Sequence, residues 1–172
     1  MRYGSGLVFD TRAGLIVTAA HLIGDPSSIT APDHGLTAHT ADQVAFDARI
    51  DVALLRVKTR TLPALAWASL PFRIGDEVHV AGRSPKLDTD VSDRGWLAAI
   101  IFGGRNLLQL EIGFQIGESG AAILKRAGDV IGMARVIVVK DREILRPGLA
   151  APASGVRPII DAMIAERRGR PN

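Results

Sequence analysis

Residues 116–139 read IGESGAAILKRAGDVIGMARVIVV. Ser119 stands in a glycine-flanked loop over residues 117–120. The residues after this loop have no helical period. Residues 121–124 are a short apolar run, Gly128-Asp129 is a turn dipeptide, and residues 130–139 are β-branched and strand-like. The serine loop therefore runs into a β-hairpin. A Gly-x-Ser-Gly string by itself is a turn, because a serine hydroxyl needs a base to act as a nucleophile at neutral pH.

The chain holds four histidines, His21, His34, His39 and His79, and all precede Ser119. An α/β-hydrolase places its histidine after the serine. That fold is excluded, and residue 121 is Ala where its elbow needs a glycine. Subtilisin order would take Asp10 before His21, but a helix should then follow the serine. His21 ends an apolar strand in GLIVTAAHLIGD, where two alanines let the backbone pack closely around the ring. His34 and His39 lie in a polar stretch with Asp33 and Asp42, a spacing that favours solvated loop residues over a metal cluster. His79 alternates with Val78 and Val80 and is expected at solvent or on a barrel flank. Asp51 stands at the mouth of the apolar strand in ARIDVALLRV. Alone it reads as a strand-end turn residue. With His21 and Ser119 it completes the order His, Asp, Ser of the chymotrypsin class.

The rest of the chain reads as short strands between turns. Strands are expected over residues 6–10, 15–18, 44–49, 52–57, 77–82, 96–102 and 107–112, with turns at Gly14, residues 33–35, residues 61–63 and Gly103-Gly104. One helix ends the chain. Ser154 is its expected cap, Pro158 falls in its first turn, and Ile159, Ile160, Met163 and Ile164 give helical spacing. Arg167 and Arg168 then sit in the last turn, and with Arg170 they form a solvated basic end. This predicts one domain over 1–172: a β-barrel half over 1–60, a connector over 61–75, a second β-barrel half over 76–152 and a helix over 153–168.

Bulk properties exclude several classes. With 21 Lys and Arg against 18 Asp and Glu, the net charge of +3 gives no argument for nucleic acid. There is no cysteine, so disulfides, thiolate metal sites and a cysteine nucleophile are absent. No apolar run is long enough to span a bilayer, and no export signal opens the sequence. MRYGSG leads directly into a strand, so a leader or first strand is expected to precede it.

The chain resembles the trypsin-like serine peptidase domain of the HtrA/Deg type. The segments that carry the resemblance are GSGLVFDTRAGLIVTAAHLIGD, IDVALLRV, IGDEVHVAGRSP, IGESGAAIL, GDVIGM and GLAAPASGVRPIID, spread in the family's order over nearly the whole chain. The resemblance implies an all-β fold of two six-stranded-type antiparallel β-barrels, the first lacking its opening strand, with a C-terminal helix. It implies serine endopeptidase activity with His21 as general base, Asp51 as its orienter and Ser119 as nucleophile. The N–H groups of Gly117 and Ser119 would form the oxyanion hole, with that of Glu118 as a helper. Phe114, Gln115, Ile116, Val136, Ala150 and Ala151 would wall a pocket for a small or medium apolar side chain. The resemblance implies no cofactor and no metal, a peptide or unfolded-protein substrate, a homo-oligomer, and a periplasmic or secreted location.

Three departures from the family pattern stand out. Ala121 replaces a glycine after the serine. Glu118 precedes the serine, so its carboxylate is expected to turn away from the oxyanion hole and meet an arginine or a backbone donor. Measured against the family pattern, the sequence is expected to open at the second strand and to have no peptide-binding PDZ module after the helix. Two readings result: an active endopeptidase, or an inactive trypsin-like binding or scaffold module.

Overall fold

The computed structural model describes residues 4–23, 30–32, 38–58, 63–68, 72–84, 89–103, 106–115, 117–136, 139–140, 143–144 and 147–168. The first half holds β1 (Gly6–Asp10), β2 (Leu15–Thr18), β3 (Thr30–Pro32), β4 (Ala38–Asp47) and β5 (Val52–Val57). They form a five-stranded sheet in the order β1-β2-β5-β4-β3. β2, LIVT, is buried throughout, and only Arg56 of its neighbour β5, VALLRV, the central strand, is exposed. Such continuous apolar runs mark strands covered on both faces.

The second half closes. β6 (Glu77–Ser84), β7 (Thr89–Ile101), β8 (Leu107–Leu110), β9 (Ala122–Lys125), β10 (Val130–Val136) and β13 (Gly148–Pro152) form a barrel in the order β10-β13-β8-β7-β6-β9. A two-stranded ribbon, β11 (Val139–Lys140) with β12 (Glu143–Ile144), lies between β10 and β13 in sequence. The expected Gly128-Asp129 turn joins β9 to β10, with Gly128 at φ 92° and its N–H donating to the Lys125 carbonyl. Among the described residues the first half is an open sheet rather than a six-stranded barrel.

Several boundaries differ from expectation for clear reasons. β7 starts at Thr89, not at residue 96, because its first half, TDVSDRG, pairs along β6 through a backbone ladder that runs from Ser84↔Thr89 to Glu77↔Trp96. A polar strand gives no apolar signal. β4 likewise begins at Ala38 and ends at Asp47. The helix α1 runs Ala153–Arg168. Ser154 is therefore its second residue and not its cap, and Pro158 lies inside the helix beyond the first turn. Pro158 has no N–H for the Ser154 carbonyl, but Ser154 is exposed and water can serve that group.

Three apolar clusters hold the described residues, one of them confined to the first sheet around Ile16, Ala41, Leu55 and Val57. Another fills the second barrel with Val78, Val80, Leu97, Leu108, Leu110, Phe114 and Ile123 among others. The third joins Leu7, Val17, Val52 and Leu54 of the first sheet to Val130, Met133 and Ala151 of the barrel and to Val156 and Ile160 of α1. The connector adds a backbone stitch on both sides. Leu65 N–H donates to Val8 O, while Ala66 O and Ala68 N–H pair with Val130. Trp67 packs edge-on against Phe9 with ring centroids 5.8 Å apart.

His79 is half-buried and lies 3.4 Å from Glu77 Oε1. Among the described residues no group of acidic and histidine side chains is arranged to hold a metal. His34, the His39 side chain, the turns at 33–35 and 61–62, Gly104 and Arg170 lie outside the described residues. No described helix is long and apolar enough to cross a membrane.

Ile160 is fully buried where helix, sheet and barrel meet. Ile160→Ala is expected to lower the unfolding free energy by about 2–5 kcal/mol in urea denaturation. A loss under about 1 kcal/mol would show that α1 does not anchor the joint between the halves.

Candidate active site

The register of two neighbouring strands brings His21 and Asp51 together. β2 and β5 are antiparallel and pair up to Thr18↔Ala53. His21 comes just after that end of β2, in the single 3₁₀ turn Ala20–Leu22, and Asp51 comes just before β5. The Asp51 carboxylate then takes both donors that His21 offers. Its Oδ1 accepts the His21 backbone N–H at 2.8 Å and its Oδ2 lies 2.8 Å from ring Nδ1. A carboxylate only accepts, so Nδ1 carries a proton, and in the neutral ring the lone pair is then on Nε2. Asp51 sits at φ 58°, left-handed backbone that costs a non-glycine residue about 1–2 kcal/mol. The two hydrogen bonds to His21 offset that cost, and strain of this kind clusters at functional sites. The His21 side chain is 46% exposed and that of Asp51 17%, so the ring is reachable and the carboxylate is largely covered.

The serine loop arrives from the second half. Gly120 N–H donates to Ala134 O, Ala134 N–H to Ala121 O, and Ala121 N–H to Glu118 O, which ties the loop to β10. Two close packings set it against the His21 turn. A Cβ on Gly120 would lie 2.2 Å from Ser5 O, 2.7 Å from Thr18 Oγ1 and 3.1 Å from Ala19 N. A Cβ on Gly4 would lie 2.1 Å from a Leu22 methyl and 2.9 Å from Ser119 O. Ser119 is thus wedged beside residues 18–22, and only 7% of it is exposed. Among the described residues Ser119 Oγ has no hydrogen-bond partner, and neither the Gly117 nor the Ser119 N–H has an acceptor.

The profile of the trypsin-like peptidase domain family matches residues 4–133. The chain belongs to that family. It is 27% identical to the periplasmic serine endoprotease DegP of Escherichia coli K12 over 172 residues, which cover 95% of this chain and 36% of that protein. It is 30% identical to the magnetosome formation protease MamE of Paramagnetospirillum magneticum, over 90% of this chain and 22% of that one. Among solved structures it superposes on the HtrA-type protease AlgW with a decapeptide at a TM-score of 0.86 and 22% identity, over 94% of this chain and 51% of that one. It superposes on the serine endoprotease of Yersinia pestis at 0.82 and 26% identity, over 97% and 58%. The chain therefore spans about a third of the length of the DegP proteins it matches.

Within this peptidase domain the other expected site residues are spread over several environments. Gln115 is exposed, and its Nε2 lies 3.3 Å from Asp93 Oδ2. Phe114 and Ala150 belong to the apolar cluster of the barrel and Ala151 to the cluster under α1, and Phe114 also lines the groove described below. Ile116 and the Val136 side chain lie outside the described residues. The Glu118 N–H cannot help an oxyanion, because it donates to Gln115 O at 3.1 Å. A groove of about 560 Å³, lined by Asp93, Trp96, Glu111 and Gln115 among others, adjoins the loop but includes none of His21, Asp51 and Ser119.

Glu118 turns inward, and its Oε2 accepts the Gln115 N–H at 2.6 Å, the backbone donor expected for it. Gln115 and Glu118 thus close a reciprocal pair that shapes the loop before Ser119. The side chain is fully buried and Oε1 has no partner. Ala121 is accommodated because Gly82 faces it: a Cβ on Gly82 would lie 3.0 Å from the Ala121 methyl and 2.8 Å from Ser5 Oγ. Arg135 adds a brace that its place beside the expected pocket does not suggest. It is buried, and its Nη2 reaches Arg49 O, in the turn that carries Asp51, at 3.5 Å.

Burial pushes the Glu118 carboxyl above the usual range, the Gln115 N–H acts against this, and the charge of Asp93 adds to it. A carboxyl that titrates higher folded than unfolded contributes most stability below its unfolded value and loses it as pH rises toward the folded one. Glu118→Gln keeps the shape and cannot ionise. Its stability relative to wild type is expected to improve as pH rises from about 4 to about 7 in parallel urea titrations. A flat difference would mean that Glu118 is not desolvated.

Proposed function

We propose that this domain is a serine endopeptidase that cleaves peptide bonds through His21, Asp51 and Ser119. The observation that carries the reading is the Asp51 carboxylate, which holds both the ring and the amide of His21 at 2.8 Å beside the serine loop. That contact fixes the tautomer in which Nε2 is a base. Ser119 Oγ attacks the scissile carbonyl carbon as its proton passes to His21 Nε2. The carbonyl oxygen becomes an oxyanion, received by the Gly117 and Ser119 N–H groups. The C–N bond then breaks, His21 gives the proton to the leaving amine, and an ester remains on Ser119. Water attacks the ester with His21 taking its proton, and the second collapse returns that proton to Ser119 Oγ and releases the acid. Asp51 stabilises the imidazolium in both halves.

An extended peptide is the natural substrate form, because it can pair as an added strand beside the cleft. The decapeptide solved together with the HtrA-type protease AlgW, and DegP relatives named as periplasmic, support a peptide substrate and a compartment outside the cytoplasm. A homo-oligomer fits the same family reading.

A fluorophosphonate probe tests the activity. Wild type is expected to label, and Ser119→Ala and His21→Ala are expected to lose labelling. Asp51→Asn is expected to slow it by about 10⁴-fold, since the wrong tautomer is then favoured. Folded wild type that does not label would sink the peptidase reading and leave a trypsin-like binding module.

A further inference from the structure

Ser5 lies just before β1, far in sequence from any residue given a chemical role, and it is nearly buried. Its N–H donates to Ser119 O at 2.8 Å. Its Oγ donates to Gly117 O at 2.6 Å. Its own carbonyl accepts Thr18 Oγ1 at 2.6 Å. One residue thus grips two carbonyls of the serine loop and is itself held by the strand that leads to His21.

The peptide planes of the loop explain what this grip does. In the plane between Gly117 and Glu118, the carbonyl points to Ser5 Oγ and the N–H to Gln115 O. In the plane between Ser119 and Gly120, the carbonyl points to Ser5 N–H and the N–H to Ala134 O. Both planes are pinned at both ends, and in each the carbonyl end is pinned by Ser5. Between them lies the plane whose N–H belongs to Ser119, with its carbonyl accepting from Ala121. Fixing the outer planes sets the direction of that N–H. Gly117, at φ 101°, has no Cβ to resist rotation of its plane, so the restraint must come from outside the loop. Gly82 leaves the room that the Ser5 hydroxyl needs.

We propose that Ser5 is a positioning residue that sets the direction of the Ser119 N–H, one of the two N–H groups of the proposed oxyanion hole, acting through the two carbonyls it holds. This rests on Ser119 being the nucleophile. It predicts a loss in the rate of forming a tetrahedral adduct, not in ground-state binding, because only the adduct places negative charge on those N–H groups.

The test is saturation kinetics with a fluorophosphonate, separating the maximal labelling rate from the reversible binding constant. Thermal melting is followed on the same samples. Ser5→Ala is expected to lower the maximal rate about tenfold or more while the binding constant stays within about twofold, less than the cost of deleting an oxyanion donor outright. Thr18→Val keeps its shape and releases the Ser5 carbonyl, so the same parameter should fall by a smaller factor. The double variant should fall by less than the product of the two, because both act on one clamp. A folded Ser5→Ala with an unchanged maximal rate, or with only its binding constant altered, overturns the inference while wild-type labelling keeps the peptidase reading intact. If Ser5→Ala does not fold, an unchanged rate in Thr18→Val overturns it equally. Wild type that fails to label removes the peptidase reading, and the role of Ser5 falls with it.

Discussion

The Asp51 carboxylate, receiving the ring and the amide of His21 together, is the contact on which the site depends. It is made possible by strand register. A slip of one residue between β2 and β5 would exchange the two faces of the strand and carry His21 away from Asp51. The close packing of LIVT and VALLRV, which holds the register, therefore also holds His21 on Asp51. The left-handed backbone of Asp51 is a local cost that this packing holds in place.

The serine belongs to the other half of the molecule, so the two halves must be locked together to a fraction of an ångström. Three kinds of contact do this. The shared apolar cluster fuses the first sheet, the barrel and α1. The connector bonds to both halves through Val8 and Val130. Closest to the chemistry, Ser5 and Arg135 cross the joint in opposite directions: Ser5 reaches the serine loop from the first half, and Arg135 reaches the Asp51 turn from the second. Glu118 completes the loop from inside and leaves one buried oxygen unpaired.

Much of this was legible in the sequence because strong local patterns carried it. β1, β2 and β5 fall on the residues expected, since apolar runs between turn residues leave little choice. His21, Asp51 and Ser119 could be put forward as the candidate triad from their order and the family resemblance, without any distance. The polar half of β7 could not be seen, because ladder bonds need no apolar side chains. The contacts of Ser5, Gly82 and Arg135 could not be read for a different reason: each meets a partner distant in sequence, and nothing in its own neighbourhood signals that partner. The inward turn of Glu118 could be expected from repulsion at an oxyanion site, but the loss of its N–H to Gln115 needed coordinates.

The central claim is that contacts from both halves converge on one reacting atom beside Ser119. A crystal structure of the protein after reaction with diisopropyl fluorophosphate tests it most directly. The predicted result is phosphorus bonded to Ser119 Oγ, one oxygen facing the Gly117 and Ser119 N–H groups, and His21 Nε2 beside the adduct with Nδ1 still on Asp51. An adduct on another residue, or one on Ser119 whose oxygen faces away from both N–H groups, would contradict it.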